Sequence, residues 1–392
     1  MLTIIIFIAI LSILVVAHEF GHFFTARRAG MKVYEFGLGF PPRGIGIYKD
    51  PVTKKWVVVR GKGRSSLKET VGGDGTQEEF PTTLYSLNWL PLGGFVKIKG
   101  ENGEAPTDRD SFGNHKAWKR FVVVVAGVIM NVILAGILLA IGFGIGLPTD
   151  ITDGAPAGAV VGDKMVVVGQ VSVNSPAEAA GIKFGDELIS INELTVKNSR
   201  SFLEYVRANP EKEMKITVLR EGENLAFTAT PAVLDSGEDN IARLGLLLSD
   251  AAIVRFPWYM AFYKGFVAAF FGFITILSLF IILLKNLILG QGLAYDISGP
   301  IGIASIIGQS ARMGINYLIG TTATLSLTLA VINILPIPAL DGGRAWFIIL
   351  EKIIRKPIPI KYEQLAHTVG FVLLMVLVVV VTVKDIFRLA GA

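Results

Sequence analysis

The stretch Val16-Ala17-His18-Glu19-Phe20-Gly21-His22 sets two histidines four positions apart, with a glutamate beside the first, inside a run that is otherwise soluble in hydrocarbon. Positions i and i+4 share one helix face, so both imidazoles can reach one metal ion while the glutamate holds a water. That is the constellation of a zinc hydrolase. Met1 to Ala17 carries no charge. A helix continued to about Phe24 is long enough to cross a bilayer, at ~1.5 Å per residue against ~30 Å of hydrocarbon. An unpartnered ionisable group near mid-bilayer costs at least ~2.5 kcal/mol, so a glutamate and two histidines there need a partner or a function. The competing reading is a secretory signal peptide. It lacks a basic segment ahead of the apolar run and a small-residue cleavage site after it, and Arg27, Arg28 and Lys32 follow instead as a stop-transfer cluster.

Of the 392 residues, 52% are hydrophobic and 18% charged, which places the chain among integral membrane proteins. The net charge of +5 would suggest a nucleic-acid partner if it were spread evenly. It is not: Thr25 to Arg120 holds 17 Lys and Arg against 10 Asp and Glu, whereas Pro148 to Trp258 holds 10 against 16. The positive-inside bias produces that asymmetry with the first segment cytoplasmic and the second outside. The lipid bilayer is therefore the expected partner and nucleic acid is not. With no cysteine, a thiol nucleophile and a cysteine-ligated metal are excluded.

Residues 33–99 contain short β-branched and aromatic runs bounded by Gly and Pro, from Val33-Tyr34-Glu35-Phe36 to Gly93-Gly94-Phe95-Val96-Lys97, around a polar stretch from Lys62 to Glu79. They read as strands and hairpins. Either this is a re-entrant β-hairpin region whose free edge, Gly93, Gly94, Phe95, Val96 and Lys97, pairs with an extended substrate, or it is a small cytosolic hairpin domain without that role. Residues 121–147 form the second span, and with it residues 1–147 make the N-terminal half of the membrane core. Its one strongly polar side chain, Asn131, either glues helices together or lines the site and orients substrate. From residue 155 to 235 the pattern becomes that of a water-soluble α+β domain. Its run Ser175-Pro176-Ala177-Glu178-Ala179-Ala180-Gly181 to Gly185-Asp186-Glu187-Leu188-Ile189-Ser190-Ile191-Asn192 resembles a PDZ domain of the circularly permuted bacterial kind. That resemblance implies an extracytoplasmic peptide adding beside Val166 to Val171, opposite a helix over Ser201 to Ala208. Residues 258–289 are apolar enough to span. The parity of crossings predicts an interfacial or re-entrant helix there, since the metal-binding motif further on must return to the side of His22.

Residues 315–392 make the C-terminal half of the membrane core, with spans at 315–335 and 369–383. The first ends in Asn333-Ile334-Leu335-Pro336-Ile337-Pro338-Ala339-Leu340-Asp341-Gly342-Gly343-Arg344. Two prolines one residue apart stop a regular helix, so broken backbone presents Asp341 at membrane depth. A hydrolytic zinc site needs three protein ligands and an open position, and His18, His22 and Asp341 supply them. His115 and His367 have no comparable neighbours in the sequence and read as structural.

With both ends of this site in hand, the chain resembles the site-2 protease family of intramembrane metalloproteases. The resemblance rests on HEFGHFF at 18–24, PLGGFVKIKGE at 91–101, SGPIGIA at 298–304 and NILPIPALDGGR at 333–344. It implies a polytopic α-helical membrane protein of about four spanning helices, Zn2+ on His18, His22 and Asp341, and Glu19 as general base. It implies transmembrane protein or peptide substrates, cleaved by regulated intramembrane proteolysis in a bacterial inner membrane. Anti-sigma factors and remnant signal peptides are the substrate types, and Asn131 and Asn333 are candidates to orient them. The chain has room for one PDZ-like domain where some members carry two, and it has Val128 after Gly127 where the family has proline. A different class of reading is a membrane adaptor with a vestigial metal site. It is disfavoured because an adaptor has no reason to keep His18, Glu19, His22 and Asp341 in lipid.

Overall fold

Backbone in hydrocarbon must satisfy its own hydrogen bonds, and the long apolar runs do so as helices. The structure is a computed structural model that describes residues 2–60, 80–152, 154–172, 175–220, 222–233, 242–290, 299–356 and 358–390. The polar stretch from Lys62 to Glu79 lies outside them. Among the described residues the helices are α1 (Leu2–Ala29), α2 (Ala117–Ile145), α3 (Pro176–Ala180), α4 (Ser199–Ala208), α5 (Trp258–Ile288), α6 (Pro300–Met313), α7 (Ile315–Ile334), α8 (Asp341–Ile354) and α9 (Ile360–Ala390). The strands are β1 (Val33–Lys49), β2 (Trp56–Arg60), β3 (Leu84–Ile98), β4 (Leu147–Asp150), β5 (Val160–Val171), β6 (Glu187–Ile191), β7 (Leu194–Thr195), β8 (Met214–Arg220), β9 (Glu223–Ala229), β10 (Ala232–Val233), β11 (Ala242–Arg243) and β12 (Leu246–Arg255). By length and composition α1, α2, α5, α7 and α9 could each cross a membrane. The region expected to be interfacial, 258–289, is thus one unbroken helix of 31 residues, and five helices rather than four have the makings of a span. Helix α6, which carries most of the SGPIGIA motif, was not foreseen as an element.

The chain divides into two compact units, the first Met1–Ile137, Phe266–Gly308 and Thr321–Ala392, the second Leu138–Gly265 and Gln309–Gly320. In the first, β1 bends at Pro41-Pro42 and weaves with β3. Glu35 to Leu38 pair with Leu84 to Leu87 on one side and with Gly94 to Lys97 on the other, while Ile45 to Ile47 pair with Tyr85 to Leu87 and with β2. Every pairing recorded for Gly94 to Ile98 is with the first half of β1, so this segment is an outer edge of the sheet. A buried cluster of Phe23, Met31, Val33, Ile98, Val123, Val124, Ala345 and Ile348 clamps the basic ends of α1 and α2, the sheet and α8 together. Lys99 reinforces the same corner, with its ammonium 2.6 Å from Asp108 and 2.9 Å from Asp110. The Lys99 hydrogen bond holds the Asp110 carboxyl below the usual carboxylate range.

The second unit is a seven-stranded sheet in the order β4-β12-β5-β6-β8-β9, with β7 beside β6. Phe202 and Val206 of α4 pack on its inner face with Val166, Val168, Leu188, Ile216 and Val218. Helix α3 starts with the Ser175 hydroxyl accepting from the Glu178 N–H, and Gly181 stops it in the left-handed region at φ 91°. Two expectations are corrected here. The domain is not bounded at 155 and 235, because β4 and β12 belong to the same sheet. The polar residues Asp235 to Asn240 resemble a domain end in the sequence, yet the chain returns after them as Leu246–Arg255. The edge of Val166 to Val171 is also not available to a peptide, since β12 pairs along it from Val171↔Leu246 to Val166↔Asp250. Phe202 is 1% exposed at the centre of this core. Phe202→Ala should cost about 3–5 kcal/mol, read as a lowered unfolding midpoint for the sheet domain in detergent, with metal content unchanged.

Candidate metal centre

Helices α1 and α2 approach to backbone contact because each presents a glycine to the other. A Cβ on Gly21 would lie 2.3 Å from the Ala126 carbonyl oxygen, and one on Gly127 would lie 2.5 Å from His22 Nε2 and 2.7 Å from His18 Cε1. The imidazoles therefore fill the space that Gly127 leaves open, and both histidines are buried, at 6% and 9% exposure. His22 Nδ1 is 2.8 Å from the Val123 carbonyl oxygen. A carbonyl only accepts, so Nδ1 donates, and Nε2 keeps its lone pair for a metal.

Asp341 arrives from the other end of the chain. Pro336 and Pro338 end α7, and Asp341 is the first residue of α8, so the turn is shorter than the sequence implied. Gly342 and Gly343 are needed for close packing rather than for turn conformation. A Cβ on Gly342 would meet the Leu335 carbonyl oxygen at 2.0 Å, and one on Gly343 the Ile337 carbonyl oxygen at 2.5 Å. The Ala339 N–H donates to His367 Nδ1 at 2.9 Å, bracing the loop two residues before Asp341. Arg344 pairs with Glu101 and donates to the Asn102 side chain, which joins α8 to the turn just after β3.

Asp341 Oδ2 comes 2.8 Å from His18 Nε2 and 3.2 Å from His22 Nε2, and the two Nε2 atoms are 3.2 Å apart. Donors around one tetrahedral zinc, with bonds of about 2.0–2.1 Å, sit roughly 3.3 Å from each other. Two imidazole nitrogens and one carboxylate at these separations fit zinc in both ligand type and spacing. Among the described residues this is the one group of three side chains so arranged.

Glu19 is half-buried beside the sheet edge. A Cβ on Gly94 would lie 3.7 Å from Glu19 Cγ, Gly93 with φ 86° rests against Val15, and the Val96 backbone N–H faces the Glu19 carboxylate. Alternation along a strand then turns the Gly94 and Val96 amides outward and those of Phe95 and Lys97 towards β1. An apolar cavity of about 400 Å³ adjoins this edge, lined by Val16, Ala17, Phe20, Leu38, Met130 and Leu134 among others. Asn333 Nδ2 is 3.4 Å from His18 Nε2, on the metal side. Asn131, expected to glue helices or orient substrate, is 0% exposed and faces His18 Nδ1 at 3.3 Å. Arg344 and Glu101 escaped the sequence reading, which took His367 as structural without naming its partner. The only hint of them was that Arg344 and Glu101 each end a motif already singled out. Gly127→Ala should displace both imidazoles and remove bound zinc, which metal analysis of the purified protein would register.

Comparison with known proteins bears on this geometry. The description of Peptidase family M50 matches residues 6–53 and 76–377. The Regulator of sigma-W protease RasP of Bacillus subtilis is 32% identical over 442 aligned positions, covering 99% of both chains. A Clostridium perfringens protein named as a zinc metalloprotease is 33% identical over 379 residues, covering 96% of each. Among solved structures, the PDZ domain of an SdrC-like protein from Listeria monocytogenes aligns with 21% of this chain and 85% of its own, at 24% identity and a TM-score of 0.19. The family match takes in both the HEFGH helix and the LDGG turn, whose side chains meet in the structure, and the chain belongs to peptidase family M50 as a zinc metalloprotease.

Proposed function

We propose that His18, His22 and Asp341 hold the zinc, that Glu19 is the general base, and that the substrates are single-pass membrane segments cut within the bilayer. The observation that carries this reading is the meeting of Asp341 with two histidines 323 and 319 positions away in sequence, beside a glutamate and an open sheet edge. A zinc ion held there supplies a Lewis acid that polarises a peptide carbonyl and acidifies water towards a pKa of ~7. Glu19 takes the water proton and delivers it to the departing amide nitrogen, so base and acid are one residue acting twice. A substrate helix hides its amides in internal hydrogen bonds, and the scissile segment has to be held extended. The outward N–H of Gly94 is suited to pair with it, and the adjoining apolar cavity to take one of its side chains. Asn333, on the metal side of His18, is suited to orient the substrate carbonyl.

The basic ends of α1 and α8, with Arg27, Arg28, Lys352 and Arg355, favour a site near the cytoplasmic face of a bacterial inner membrane. Helix α6 supports the accompanying topology. Its Gly308 packs on Thr3 at the start of α1, and its Gly302 N–H donates to Asp385 near the end of α9. Those two ends lie opposite the basic side, so α7 runs inward towards Asp341. As one unbroken helix of 31 residues, α5 would then lie along the membrane interface rather than turn back within it. The sheet domain would be extracytoplasmic and PDZ-like. An open stretch of edge next to α4 is Leu246 to Ser249, because β4 covers only Ala251 to Val254. The relative named for sigma-W regulation favours substrates of the anti-sigma-factor type.

Glu19→Gln should retain zinc and lose cleavage of a model transmembrane substrate by about 10²–10⁴-fold. Turnover near the wild-type rate would refute the base assignment. Val96→Pro, which removes the amide that faces the Glu19 carboxylate, should impair cleavage with zinc intact. A chelator should abolish wild-type cleavage, and added Zn2+ should restore it.

A further inference from the structure

We infer that Asn131 is a positioning residue for the metal centre, whose side-chain oxygen accepts from His18 Nδ1 and fixes the tautomer that leaves Nε2 free for zinc. The inference rests on the zinc-site reading above and adds a residue that holds a ligand rather than touching substrate.

Asn131 lies four residues after Gly127 and so on the face of α2 that crosses α1. Its side chain is fully buried, with Nδ2 3.3 Å from His18 Nδ1, and its Oδ1 is buried with no hydrogen-bond partner. The two amide orientations differ only in which end meets the imidazole, and that choice is coupled to the His18 tautomer. With the nitrogen towards Nδ1, the ring must carry its proton on Nε2, the atom 2.8 Å from Asp341 and 3.2 Å from His22 Nε2. A proton there occupies the lone pair that zinc needs. With the amide turned over, Oδ1 accepts from Nδ1–H and Nδ2 becomes the unpartnered end, so the lone pair that zinc needs decides between the two. Only this orientation is compatible with a neutral imidazole ligating through Nε2.

Helix α2 thus serves both histidines in one way at two depths. The Val123 carbonyl accepts from His22 Nδ1, and two turns further on Asn131 does the same for His18. Asn131 is itself held in place, since the Ser326 hydroxyl of α7 donates to its main-chain oxygen at 2.8 Å. Helix α7 leads directly into the turn that presents Asp341, so the outer contact of one ligand and the approach of another share a helix pair.

The test compares wild type, Asn131→Ala and Asn131→Asp in detergent, titrating Zn2+ against a chromophoric chelator and recording the visible absorption of the Co2+-loaded forms. Asn131→Ala should bind metal about 10- to 100-fold more weakly and show an altered Co2+ spectrum. Asn131→Asp, which keeps an acceptor, should recover most of the affinity and the wild-type spectrum. Thermal unfolding of the metal-free forms separates this from helix glue, which predicts lowered stability in both variants with affinity unchanged. Histidine 15N spectra of the zinc-loaded wild type give a second readout that needs no variant, and His18 should carry its proton on Nδ1. Wild-type affinity in Asn131→Ala, an Asp variant as weak as Ala, or a His18 proton on Nε2 would each overturn the inference and leave the zinc site standing. Failure of the wild type to bind metal would overturn the zinc site itself, and this inference with it.

Discussion

The close crossing of α1 and α2 is the contact on which the rest of the structure depends. Two helices in lipid gain no hydrophobic free energy by meeting, because the acyl chains they displace are as apolar as their own side chains. Their association has to come from packing and hydrogen bonding, and glycines let the backbones come close enough for both. Gly21 and Gly127 do this here, and the same approach leaves the imidazoles no room except over Gly127. Packing and ligand geometry are thus one feature. A site assembled around long side chains on more distant helices would lose the Val123 carbonyl and the Asn131 amide together.

The second half of the site obeys the same rule with different parts. Gly342, Gly343 and Gly370 each allow another segment's backbone to come within contact distance, Gly370 at the Pro338 carbonyl. The loop before Asp341 has only turn hydrogen bonds of its own, Ile337 to Leu335 and Leu340 to Ile337, and His367 takes up the Ala339 N–H that they leave free. The broken helix is therefore as tightly determined as an intact one.

Much of this was legible in the sequence, because ionisable residues in a hydrocarbon run are costly and their spacing is informative. His18, Glu19, His22 and Asp341 stood out on that ground, and the structure gathers His18, His22 and Asp341 at one point. The segment Gly93 to Lys97 read as a strand edge from its glycines and β-branched neighbours, and it is one. Other features were out of reach for physical reasons. Strand β12 follows an acidic, glycine-containing stretch that resembles a domain end, and pairing across 75 residues from Val171 to Leu246 leaves no local trace. The close approach at Gly342 and Gly343 was out of reach because sequence reports flexibility and not proximity. His367 looked inert because its partner is a backbone amide, which has no sequence signature.

The pairing of Arg344 with Glu101 and Asn102 has a thermodynamic consequence. Arg344 is three residues from a metal ligand, and Glu101 is three residues beyond the outer strand. Through this bridge the turn that carries Asp341 is tied by side chains to the strand that forms the outer edge. Linkage between two sites tied in this way is reciprocal. Whatever free energy an extended peptide gains by ordering the strand in the presence of metal, the metal gains by the same amount in the presence of peptide.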